Sequence, residues 1–328
     1  MNALIDHSTR LRWLGAKVLR LLAVVFGVSL ITFLGLEVLP GDISYQLAGP
    51  DASAAEVESI RLELGLERPL FLRYSGWLAQ VLTGNLGTSR VAAEPVGAAI
   101  LSRLPVTLEL MILSPLLALC LAVPAAILSA SRVQSGLDKG LSTLAFACMS
   151  VPSFVMALLL SYLFALELHW LPATGFVPLS DGVVANLRSA ALPAVSLALV
   201  EWVPLMRVLR SDLITTLQQD YILSARSKGL SPMYILLRHA LRPSLFTLTT
   251  VLGLHMGHLI GGALVVEWVF ALPGMGRLLI NAIFAQDTVL VQGCVLFISV
   301  GYVVINFGVD LLYLALDPRL RHSRGVSP

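Results

Sequence analysis

Long apolar runs separated by short polar connections set the pattern of this chain. A helix of about 20 consecutive apolar residues crosses the hydrocarbon core of a bilayer. Six segments reach that length: Val18–Leu39, Leu104–Leu128, Leu141–Leu166, Leu192–Leu213, Leu245–Val266 and Val289–Leu316. Pro115, Pro124, Pro152, Pro193 and Pro204 fall in or at the ends of these spans, where neighbouring helices can re-satisfy the backbone groups a proline frees. The large polar segment, 40–103, alternates differently. There "DASAAEVESIRLELGL" predicts an acidic amphipathic helix ending at Gly65, and "RPLFLRYSGWLAQVLTGNLGTS" a second ending near Gly84. Such a segment suits a solvated cap or a docking surface.

Composition agrees with the pattern. Only 13% of the 328 residues are charged, against about 25% in soluble domains, and the mean hydropathy is +0.84. The fold class expected is all-α, polytopic, with six transmembrane helices. Cys120, Cys148 and Cys294 all lie inside apolar runs and read as small hydrophobes, with neither a disulfide framework nor a metal motif. The first apolar run exceeds the roughly 7–15 residues of a signal-peptide core, so it reads as an uncleaved span; cleavage near Ala52–Ala55 is the alternative.

Charge decides orientation rather than partners, since the net value is only +2. Fifteen of the twenty-two Lys and Arg residues lie on one side of a six-span arrangement: four flanking the N-terminus, two in 129–140, six in 207–243 and three in the C-tail. That side is expected to be cytoplasmic, with both termini on it. The organisation is then a cytoplasmic tail (1–17), the first span (18–39), an external loop (40–103), a five-helix core (104–316) containing a cytoplasmic loop (212–243), and a C-tail (317–328).

That cytoplasmic loop holds "DYILSARSKGLSPMYILLRHALRP", Asp220 to Pro243. Leu213, Leu217, Tyr221 and Ala225 recur every four residues and predict a helix over 213–228. Gly229 suits the left-handed residue that ends it, Ser231 the next N-cap and Pro232 the first helical position. A second short helix would then end at Pro243. Two helices and a tight turn make a knob with small residues at its bend. The basic residues equally suit a helix lying on anionic lipid, although such a helix needs no internal cap.

The segment resembles the coupling loop of ATP-binding cassette importer permeases, in the peptide/nickel branch. Asp220, Tyr221, Ala225, Arg226, Lys228, Gly229 and Leu230 match the first part of that branch's pattern, and Arg238, His239, Leu241 and Arg242 the second. The wider superfamily opens this loop Glu-Ala-Ala; Leu223, Ser224 and Ala225 stand there instead. Further matches are "LPGD" (39–42), "LGLERPL" with "GNLGTS", "FALPGMGRLLINAI" and the C-terminal "LDPRLR". The resemblance implies the type I importer permease fold in a bacterial inner membrane. It implies a second permease subunit, two ATPase subunits and a substrate-binding protein as partners. Residues 220–230 would link ATPase closure to the spans, Ala225 and Gly229 giving close approach and Arg226 and Lys228 meeting polar groove residues. Pro273, Gly274, Gly276 and Arg277 would form an outer gate or simply a tight turn. Short peptides are the substrate first implied, with nickel or a metal chelate the alternative.

The sequence lacks a G-x-x-x-x-G-K-[ST] phosphate loop, so ATP and Mg²⁺ are expected on the partner subunits and no cofactor or catalysis in this chain. No nucleic-acid partner is expected. Ionisable residues inside spans are functional candidates: Glu109, Glu201, Arg207, His255, His258 and Asp310. Arg207 is close enough to a span end to snorkel. Glu201, His255 and His258 are the pathway candidates. The two histidines, i and i+3, share a helix face and suit Ni, Cu or Zn, or pack as polar residues among glycines 253, 257, 261 and 262. A secondary transporter or channel would show midplane ion sites or a repeat, and an intramembrane protease HExxH or GxSxG. None of these is seen.

Overall fold

A computed structural model describes residues 2–38, 44, 52–63, 65–89 and 93–316. The Leu39–Asp42 motif, the C-terminal motif and tail beyond Leu316, and the side chain of Asp310 lie outside what it describes. The described residues form helices: α1 (Asn2–Val38), α2 (Ala54–Glu63), α3 (Leu70–Leu82), α4 (Val96–Ser131), α5 (Gly136–Met149), α6 (Ser153–Leu160), α7 (Val183–Thr216), α8 (Asp220–Ser227), α9 (Pro232–Val269), α10 (Met275–Phe284) and α11 (Thr288–Leu316). Five are long and apolar enough to cross a membrane, and the bent pair α5–α6 makes a sixth.

The third predicted span, Leu141–Leu166, is not one straight helix. It bends by 100° between Met149 and Ser153. Pro152 has no N–H to continue the helix and pushes Val151 out of the helical region; it then precedes the first residue of α6, and a wide π-type turn, Ser161–Glu167, follows. Residues 2–17 continue the helix of the first span.

The chain divides into two compact units, Met1–Arg103 with Leu278–Val303, and Leu104–Arg277 with Val304–Pro328. In the first, α3 lies against α1. Tyr74 is buried between Phe26 and Phe33, its hydroxyl 2.8 Å from Ser29 Oγ, and Arg73 pairs with Glu37 at 2.6 Å. Ser53 and Glu56 cap α2 reciprocally, the Ser53 N–H reaching the carboxylate at 2.8 Å and the Glu56 N–H reaching Ser53 Oγ at 3.3 Å. The "GNLGTS" loop is not a loose cap. Ser89 Oγ donates to Asp287 at 2.5 Å, and Asp287 accepts from the Leu290 N–H at the start of α11.

The second unit is built around α7. Small residues on α4 (Ala118, Ala122, Ala126) share one buried cluster with the α7 stripe Trp202, Leu205, Met206, Leu209 and Leu213 and with Leu248 of α9. One charge cluster fastens this core. Asp138, at the start of α5, accepts from Arg210 Nε at 2.8 Å and Nη2 at 2.7 Å, from Ser129 Oγ, and from the Gln134 N–H. Its side chain is 5% exposed. Removing one partner of a buried pair leaves an uncompensated charge, at a cost of about 3–5 kcal/mol. Arg210→Leu is therefore expected to lower the thermal midpoint of the detergent-purified protein sharply, and Arg210→Lys to recover part of it. An unchanged midpoint for Arg210→Leu would refute this role.

Candidate functional site

The Asp220–Pro243 segment begins where α7 stops. The predicted continuous helix over 213–228 is interrupted: α7 ends at Thr216, and 217–219 turn before α8 starts at Asp220. The turn lets Leu217 pack beside Ile222, Ala225 and Ile235, a cluster that a straight helix would leave unmade. The end of α8 follows the sequence expectation. Gly229 takes φ +74°, its N–H meets the Arg226 carbonyl at 2.9 Å, and the Leu230 N–H reaches back to Ala225 at 3.4 Å. Ser231 then caps the next helix through the Tyr234 N–H at 3.4 Å, with Pro232 in its first turn.

That helix does not end at Pro243. It widens into a π-type turn at Ile235–Ala240 and runs on to Val269 as α9. Pro243 cannot bond the carbonyl four residues back, which is that of His239. The Tyr221 hydroxyl points at this carbonyl from 3.4 Å. Tyr221 and the downstream Arg-His-x-Leu-Arg-Pro run thus meet in space, a link that their separation in sequence conceals.

The faces of α8 are distinct. Ile222 and Ala225 point inward, whereas Tyr221, Ser224, Ser227 and Lys228 are exposed. Ala225 is 7% exposed and packs with Ile222, Ile235 and Leu217 of this chain. Asp220, Arg226, Gly229 and Leu230 are exposed, and a Cβ on Gly229 would meet nothing within 4 Å.

The Pro273–Arg277 turn is organised by a residue the sequence reading missed. Glu267 is fully buried. It accepts from Thr107 Oγ1 at 2.6 Å and from the Gly276 N–H at 2.6 Å, while the Met275 N–H donates to Thr107 at 2.9 Å. The carboxylate therefore caps the start of α10. Gly274 is glycine because a Cβ would run into this carboxylate, and Gly276 because one would strike the Leu264 backbone. Arg277 donates to the Ala271 carbonyl at 2.5 Å. The fifth span expected from hydropathy ends at Val266, one residue short of Glu267.

The pathway candidates separate. Glu201 and His255 come together at 2.9 Å, while His258 is exposed one turn on, its ring 6.0 Å from that of His255. Among the described residues no group of three or more His, Cys, Asp or Glu could hold a metal ion. Arg207 lies over the Phe146 ring at 5.0 Å, and Glu109 is half-buried. Span glycines admit close neighbours: a Cβ on Gly253 would collide with Val309, and one on Gly262 would press on Leu197 at 3.3 Å.

Comparison with known proteins decides the family. The model for the inner membrane component of binding-protein-dependent transport systems matches residues 122–322, and that for the N-terminal region of such components matches 10–111. The chain belongs to this family of transport permeases. The permease is 42% identical over 307 residues to a Brucella abortus protein named as a peptide transport system permease, covering 94% of this chain and 98% of that one. It is 34% identical over 307 residues to the glutathione transport system permease of Escherichia coli, with the same coverage. Among solved structures, the inward-facing MetNI methionine ABC transporter matches with a TM-score of 0.50 at 18% identity, over 64% of this chain and 93% of that chain. An amino acid ABC transporter solved with histidines also reaches 0.50, at 16% identity, over 67% and 95%. The permease thus has the fold of ABC importer permeases.

The Gly276 contact is with backbone, which cannot swing aside, and overpacking of this kind costs about 1–3 kcal/mol. Gly276→Ala is expected to lower the thermal midpoint of the permease, whereas Gly261→Ala, whose Cβ meets nothing within 4 Å, is expected to leave it unchanged.

Proposed function

We propose that this permease forms half of the translocation path of an ATP-driven importer for short peptides. The observation that carries the substrate class is near-full-length similarity to a peptide permease and to a permease for glutathione, itself a tripeptide. The other half is a second permease subunit. Two ABC ATPase subunits bind ATP and Mg²⁺, and a substrate-binding protein delivers cargo on the far side. The basic end that carries α8 faces the cytoplasm, as do both termini, since the Lys and Arg residues concentrate there.

In this reading α8 is the contact with an ATPase. Its exposed Tyr221, Ser224 and Lys228 form the docking face, with Asp220 and Gly229 at its edge, while Arg226 and Leu230 line the cavity behind it. Ile222 and Ala225 pass its motion inward to Leu217 and Ile235, and so to the ends of α7 and α9. The Pro273–Arg277 turn, held by Glu267, is the outer element of the path. Pairing with Glu201 makes His255 a structural neighbour rather than half of a metal pair, which favours peptides over nickel or a metal chelate.

Uptake by proteoliposomes holding the whole complex tests the reading, with a di- and oligopeptide pool offered against free and chelated Ni²⁺. Peptides are expected to accumulate with ATP. Gly229→Asp, which adds backbone strain of about 1–2 kcal/mol and an anion at the bend, is expected to reduce uptake to background with the thermal midpoint nearly kept. His258→Ala is expected to be silent. Accumulation of nickel alone, lost in His258→Ala, would overturn the peptide assignment.

A further inference from the structure

Behind α8 lies a cavity of about 990 Å³, at the upper end of the range for ligand pockets, about 300–1,000 Å³. Its walls come from the ends of α4 and α7, from α8 and from the first turns of α9. Two cations line it, Arg132 and Arg226. Among the described residues neither guanidinium has a carboxylate or other hydrogen-bonding partner. Most of the remaining wall is apolar, and Val133, Leu223 and Met233 on it are each about half exposed, at 47%, 55% and 53%. Two unpaired guanidiniums beside an apolar trough complement an amphiphile with an anionic head.

We propose that this cavity holds an anionic phospholipid of the cytoplasmic leaflet, its phosphate on Arg132 and Arg226 and an acyl chain along Val133, Leu223 and Met233. A small anion would use the arginines and leave the apolar wall in water. A zwitterionic lipid would cover the wall but bring its own cation against the arginines. Basic pockets between helices at this depth are suited to anionic headgroups, and an arginine fork matches phosphate geometry. The site also leaves the docking face free. At about 100° per residue, Leu223 and Arg226 lie on nearly the opposite side of α8 from Ser224 and Lys228. Lipid and ATPase can then hold α8 together, the lipid tying it to the end of α4. This rests on the reading above only in placing α8 at the cytoplasmic surface; the binding measurement below does not depend on transport.

The test uses the whole complex in nanodiscs of phosphatidylcholine mixed with phosphatidylglycerol. Lipid retained on detergent extraction is read by native mass spectrometry, and peptide uptake per ATP hydrolysed is measured in matching proteoliposomes. The wild type is expected to retain phosphatidylglycerol over phosphatidylcholine. Arg132→Gln with Arg226→Gln is expected to lose that preference by roughly tenfold or more and to transport less per ATP. Lys139→Gln, an exposed cation outside the cavity, is expected to behave as wild type. Equal retention in the double variant, equal loss in Lys139→Gln, or displacement of the lipid by inorganic phosphate at physiological concentration would each overturn the site. If phosphatidylglycerol is retained through the two arginines but no peptide is taken up, the lipid site stands and the substrate assignment fails.

Discussion

Backbone groups freed where a helix breaks in an apolar medium must find partners inside the protein, because lipid offers none. In this permease a buried side chain meets that requirement at one turn, and on the exposed α8 segment side chains supply partners as well. Glu267 reaches out of α9 to bond the backbone at the start of α10, with Thr107 completing the set. Tyr221 turns its hydroxyl to the carbonyl that Pro243 leaves without its usual donor. Ser231 accepts from the first turn of α9. Glu267 and Ser231 each fix a turn that a continuous span would not have, and Tyr221 serves a proline inside a continuous helix.

The unit around α7 supplies the frame for these turns. Alanines on α4 pack into the cluster around α7, and the Asp138–Arg210 pair holds the start of α5 to the last turns of α7. Because Asp138 is almost fully buried, its position is set by hydrogen bonds from three separate stretches of chain rather than by bulk attraction. The α8 knob rests on this frame through a small cluster of Ile222, Ala225, Ile235 and Leu217, and through the Tyr221 hydroxyl.

Much of this was legible in the sequence. The spans followed from run length, the caps at Gly229 and Ser231 from residues whose backbone preferences are strong, and the family from motifs spread along most of the chain. What was misread shares a cause. The break before Ser153 and the passage of α9 through Pro243 depend on whether neighbouring segments can supply a donor or fill a bend, and two prolines of similar local context came out oppositely. The size of Ala225 is plain in the sequence, and only packing shows that it joins Ile222 and Ile235. Glu267 was left out because a hydropathy boundary fell one residue before it.

Composition and periodicity by themselves determined that the chain is helical, membrane-spanning and strongly basic at one end, and the run of motifs pointed to its family. Those properties follow from transfer of apolar surface out of water and from single-residue backbone preferences, which need no knowledge of contacts. The tertiary structure alone decided which polar residues find each other: Glu201 with His255, Asp138 with Arg210, Glu267 with Thr107 and a distant turn. These pairings depend on distances across the bundle, and a one-dimensional pattern carries no such distance.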